Sequence, residues 1–106
     1  MIGIGTWSAK INTFFFKAEA TVDIMDQNGE YAFAFHLPEQ FSNVSVRYFD
    51  VREEGDTLCG KGEVSLLPGK IFEGKLTFHG DKLTGSIVLP FLDNKTVELQ
   101  DGHRVK

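Results

Sequence analysis

Residues 17–37 read KAEATVDIMDQNGEYAFAFHL. In the first half, Ala18, Ala20, Val22 and Ile24 alternate with Lys17, Glu19, Thr21 and Asp23. In the second, Tyr31, Phe33, Phe35 and Leu37 alternate with Glu30, Ala32, Ala34 and His36. Successive side chains of a strand point to opposite faces, so this period of two marks a pair of half-buried strands. Asp26-Gln27-Asn28-Gly29 lies between them. Asn-Gly flanked by alternating apolar residues is the strongest short hairpin signal, because both residues tolerate the positive φ of a tight turn.

The same pattern runs outward in both directions. Upstream, Trp7, Ala9 and Ile11 oppose Thr6, Ser8, Lys10 and Asn12 over 6–13. Downstream, Val44, Val46 and Tyr48 share one face, whereas Phe49 and Val51 fall on the other parity. A bulge near Tyr48–Asp50 reconciles the two sets. In 57–66, Leu58, Gly60, Gly62, Val64 and Leu66 oppose Thr57, Cys59, Lys61, Glu63 and Ser65. In 72–78, Phe72, Gly74, Leu76 and Phe78 oppose Glu73, Lys75 and Thr77. In 82–89, Leu83, Gly85, Ile87 and Leu89 oppose Lys82, Thr84 and Ser86. Val97 and Leu99 mark a last strand running to the C-terminus. Only 38–42 offers a helix, of one or two turns behind Pro38. Eight strands joined by short turns predict an all-β domain spanning 1–106, an antiparallel up-and-down meander closed into a barrel, which removes its own edges. A two-layer β-sandwich is the alternative.

Composition agrees and excludes several classes. The chain has 106 residues, of which 42% are hydrophobic and 25% charged, an ordinary globular balance rather than a disordered one. Its 11 Gly and 10 Phe against 3 Pro favour turns and aromatic strands. Net charge is −4 with no basic run, which argues against nucleic acid as a partner. No apolar stretch reaches the roughly 20 residues of a membrane-spanning helix. Met1-Ile2-Gly3-Ile4-Gly5 lacks a basic segment followed by an apolar core, so no signal peptide is read. With Cys59 as the one cysteine, a reduced cytoplasmic setting is the expectation. A chain trimmed of a leader would read the same.

No motif carries chemistry. His36, His79 and His103 lie at no metal-ligand spacing, and no metal or cofactor is expected. Cys59 falls on an outward face with no cue for activation. Gly3-x-Gly5 and Gly60-x-Gly62 open no helix, so they are no dinucleotide fingerprint. The reading is non-enzymatic.

In a meander the turns alternate between two ends. The second, fourth and sixth contain Asp26 to Gly29, Glu53 to Asp56 and His79 to Asp81, all polar. The odd turns contain Phe14-Phe15-Phe16, Phe41, Leu67 and Phe91-Leu92, all apolar. One end is therefore a polar base and the other an apolar mouth. Three successive strand residues cannot all face inward, so the Phe triplet either folds back into the core or forms a rim. Phe14, Phe15, Phe16, Phe41 and Phe91 are the candidate interface of a homodimer. Small inward residues (Gly60, Gly62, Gly74 and Gly85) either let a narrow barrel coil tightly or leave a cavity. In the second case Phe14, Phe16, Phe33, Phe35, Tyr48, Phe72 and Phe78, with Trp7 and Tyr31 nearby, line a site for a small hydrophobic molecule.

Gly5-Thr6-Trp7 on the first strand and Arg104 near the end of the last resemble the calycin superfamily of lipocalins, fatty-acid-binding proteins and avidins. Leu83-Thr84-Gly85-Ser86-Ile87 and Asp101-Gly102-His103-Arg104 resemble short bacterial calycin-like proteins. The resemblance implies that Trp7 and Arg104 pack together and close the barrel's base, a cation over an indole. The chain is shorter than a typical lipocalin and has neither its C-terminal helix nor a helical lid, which implies a small cavity or none. Two readings result: a binding module for a small hydrophobic ligand, or an interaction module that oligomerises through the same rim. An enzyme with a site at the mouth is a third.

Overall fold

The computed structural model describes residues 1–12, 17–36, 39, 45–65, 67–90 and 93–106. Its strands are β1 (Gly5–Asn12), β2 (Lys17–Gln27), β3 (Glu30–His36), β4 (Val46–Glu54), β5 (Thr57–Val64), β6 (Ile71–His79), β7 (Lys82–Leu89), β8 (Lys95–Glu98) and β9 (Gln100–Arg104). All pairings are antiparallel, in the order β3-β2-β1-β9-β7-β6-β5-β4, with β8 also on β7. The chain is thus an eight-strand up-and-down meander nearly closed into a barrel. β8 and β9 share the role of the last strand.

The hairpin at 17–37 forms as its sequence dictates. Asn28 and Gly29 turn with φ of 57° and 88°, and the Gly29 N–H donates to Asp26 Oδ1 at 2.9 Å. The Asp26–Tyr31 and Gln27–Glu30 pairings then fix the register that keeps Val22 and Ile24 on the same face as Phe33 and Phe35.

Two bulges set the parity elsewhere. In β4 the pairing with β5 slips between Phe49 and Arg52, and Asp50 takes a φ of 54°. The extra residue turns Val51 inward to pack on the core, alongside Val46 and Tyr48 in the interior. The second bulge was not evident from periodicity. Leu99 separates β8 from β9 and gives its N–H to the Gly85 carbonyl at 2.9 Å; Asp101 beside it has a φ of 53°. Each bulged aspartate faces a lysine: Lys61 Nζ is 3.9 Å from Asp50 and Lys10 Nζ 3.2 Å from Asp101.

The core sits toward the end that carries the polar turns. Trp7 and Ile24 are fully enclosed, and Ala9, Leu58 and Leu83 are buried with them. The 38–42 segment expected as a helical turn lies outside the described residues, apart from Glu39.

Candidate functional site

The base of the barrel is sealed by a layer of named contacts. Trp7 and Arg104 are directly opposite on β1 and β9, and Arg104 Cζ lies 4.4 Å from the centre of the indole. The guanidinium is fixed from three sides. Its Nε donates to Asp81 at 3.1 Å, and its Nη1 donates to the carbonyls of Ile4 at 3.0 Å and Lys106 at 3.3 Å. A planar fork held this way loses little further freedom by stacking, so the contact stabilises the base by about 1–2 kcal/mol. On the other side Phe78 packs against Trp7, ring centres 4.9 Å apart.

The N-terminal residues complete this floor, which periodicity alone does not reveal. The Trp7 indole N–H donates to the Gly3 carbonyl at 2.9 Å, the Ile2 N–H donates to Tyr31 Oη at 2.7 Å, and Ile2 packs on the core. Phe78 occupies the space that a side chain at Gly3 would need, and Gly3 has a φ of 70°. Only glycine meets both demands. Gly3-x-Gly5 was the available signal: Gly3 lets the chain cross closely over the Phe78 ring, and Gly5 lets β1 begin against Arg104 and the Lys106 carbonyl.

Above the floor the barrel is hollow. A cavity of about 330 Å³ extends from Trp7, Leu58 and Leu83 toward the mouth. Its wall is almost wholly apolar. Among the candidates read from sequence, Phe33, Phe35, Tyr48 and Phe72 line it, with Trp7 at the floor. Phe78 and Tyr31 do not, because both are engaged in the base. Phe14, Phe16 and the rim residues Phe15, Phe41 and Phe91 lie outside the described residues.

The glycine row divides. Gly60, Gly62 and Gly74 line the cavity, but a side chain added at Gly74 would meet nothing within 4 Å, whereas Phe72 already covers Gly62. Gly85 instead lets the chain pack tightly, since its Cβ would stand 2.6 Å from the Lys75 carbonyl and 3.0 Å from Leu99. Small residues thus serve close packing at one level and open space at another.

Between β3 and β4 the wall is unladdered. β3 and β4 end the sheet path, so backbone hydrogen bonding does not join them. Side chains do. The Phe33 N–H donates to Tyr48 Oη at 3.2 Å, the Phe33 and Tyr48 rings meet edge-on at 4.8 Å, and Tyr48 also meets Phe35 at 6.5 Å. Nearer the base, Tyr31 Oη donates to the Glu53 carboxylate. Each such contact is worth about 1 kcal/mol, far less in sum than a full ladder with its packed cross-strand pairs.

Outside the barrel several polar groups are paired. Thr6 Oγ1 donates to Asp23 at 2.6 Å and His36 Nε2 lies 2.9 Å from the same carboxylate, so these bonds hold Asp23 below the usual carboxylate range. The hydroxyl meets the aspartate and not the imidazole, so the three form no nucleophile–base relay. Cys59 is buried and its thiol donates to Glu54 Oε2 at 2.9 Å; burial first, then that bond, raises its pKa and keeps it a thiol. All three histidines are exposed, and no metal-holding cluster occurs among the described residues. The chain matches no protein-family model, curated protein or solved structure.

Proposed function

We propose that this protein is a non-enzymatic, calycin-like barrel that holds one small neutral hydrophobic molecule in its interior. The observation that carries the reading is the cavity of about 330 Å³ with an almost wholly apolar wall. Its volume lies within the range of about 300–1,000 Å³ typical of ligand pockets. Apolar cavities of about 150 Å³ already bind benzene, so this one suits a ligand of roughly two rings. Among the described residues the charged groups at the wall are Lys61, half-exposed and 3.9 Å from Asp50, and the exposed Lys70, so neither ammonium is buried in the interior; desolvating a polar group there without a partner would cost about 2–7 kcal/mol. The stacking of Arg104 on Trp7 at the base supports the calycin-like assignment.

Native mass spectrometry of protein purified from its own host tests the reading. A non-covalent adduct of small mass on the wild type, lost in Gly74→Leu, is the expected result. A bare chain that also fails to take up neutral aromatic compounds would contradict it.

A further inference from the structure

We propose that the seam between β3 and β4 is the portal of this cavity and that Tyr48 is its gate, an inference that rests on the ligand-binding reading. Three observations converge there. First, β3 and β4 are the two ends of the sheet path, so parting them breaks no backbone ladder; β1 and β8 are also unpaired, but polar side chains such as Asn12, Thr96 and Glu98 flank that gap, whereas aromatic rings flank this one. Second, the cavity is lined from both sides of the seam, by Phe33 and Phe35 on β3 and by Val46 and Tyr48 on β4. Third, of these four wall residues Phe35 is the exposed one, at 41%, so the cover over its ring is incomplete.

Tyr48 holds the seam shut by two means. Its ring closes edge-on against Phe33 and leans on Phe35, and its hydroxyl accepts the Phe33 N–H, which has no strand partner on that side. Swinging the ring outward frees the passage and exposes the Phe33 amide to water, which takes the place of the hydroxyl. Base-side contacts need not move, because Tyr31 and Glu53 close the lower end of the seam independently. Passage of a ligand is therefore a side-chain event and leaves the barrel's pairing intact.

The gate has a kinetic signature distinct from that of a ligand contact. Tyr48→Phe keeps the ring and removes the hydroxyl, so it weakens the closed state equally with and without ligand. With the neutral fluorophore N-phenyl-1-naphthylamine in stopped flow, the association rate should rise about fivefold, the effect of one lost hydrogen bond; loss of an ordinary ligand contact does not speed association. Hydrogen exchange at the Phe33 amide should accelerate by a similar factor. Phe35→Ala should raise the association rate in the same direction. A change confined to dissociation and Kd would make Tyr48 an ordinary contact and overturn the gate. Rates that ignore Tyr48→Phe but respond to Leu67→Ala, at the exposed apolar turn after β5, would place entry there and overturn it too. No probe binding by the wild type overturns the ligand reading, and the gate with it; binding with rates unchanged in Tyr48→Phe overturns the gate alone.

Discussion

The base and the mouth of this barrel are built from the same strands by opposite means. At the base, large side chains meet across the axis: Trp7 and Ile24 are fully enclosed, Arg104 and Phe78 sandwich the indole, and Ile2 and Gly3 close the floor. Toward the mouth the same strands carry Ala20, Gly60, Gly62 and Gly74, which border the cavity. One strand shows the contrast on a single face. On β6, Phe78 packs into the base, whereas Gly74 faces open space. Stability concentrated at one end leaves the other free to stay hollow, since the cavity forfeits packing that the base supplies.

That contrast can be broken most forcibly at Trp7. Trp7→Ala should destabilise the protein by about 3–5 kcal/mol, because it empties a fully buried site. Phe72→Ala, on the cavity wall, should cost only about 1 kcal/mol, as its ring already borders empty space. Urea denaturation of the two variants gives the comparison directly; equal losses would mean that the two ends are packed alike. Next in size is Arg104→Met, which keeps the apolar stem but loses the charge over the indole and the links to Asp81 and Ile4. A loss of about 1–2 kcal/mol is expected. Gly74→Leu has the opposite sign. It fills open space at a strand position of ordinary φ, and a gain of about 0.5 kcal/mol should appear as a small rise in Tm.

The ends should also respond to opposite extremes of pH. Burial, then the bond to Glu53, raises the pKa of Tyr31 at the base. The stabilisation it gives is complete below the ordinary tyrosine value of about 10 and is lost as pH rises through its higher folded value. At the mouth, Glu63 accepts the Gly69 N–H at 2.6 Å and Arg47 Nη2 at 3.1 Å, and these bonds, the backbone one first, lower its pKa. Its contribution is present above the ordinary glutamate value of about 4.3 and lost as pH falls through the lower folded value. In an NMR titration the Gly69 amide should therefore shift on acidification and the Ile2 amide on alkalinisation. Glu63→Gln should abolish the first shift and spare the second. Movement of both amides together at either extreme would dissolve the distinction.

Much of this architecture was legible because a period of two is written residue by residue. The hairpin at Asn28-Gly29 and the bulge at Asp50 both left clear marks, one in turn chemistry and the other in the parity break between Tyr48 and Val51. The bulge at Asp101 left none, since β8 and β9 are too short to display alternation on both sides of Leu99. The cavity could be read only as one of two outcomes. Whether inward glycines tighten a barrel or hollow it depends on what lies across the axis, and Gly85 and Gly74 do one each. Tyr31 and Phe78 share the face of the wall residues on their strands, yet they sit nearer the base, and periodicity does not report level. The seam was hidden because the number of strands does not say which neighbours pair.

The central claim is that the mouth half is a ligand cavity while the base is not, and one titration tests it most directly. Wild type and Gly74→Leu would be titrated with N-phenyl-1-naphthylamine, and the fluorescence gain read at equilibrium. The account predicts saturable one-to-one binding by the wild type, weakened at least about tenfold in Gly74→Leu, with the variant as stable as its parent or more so. Equal binding by both, or none by either, would contradict it.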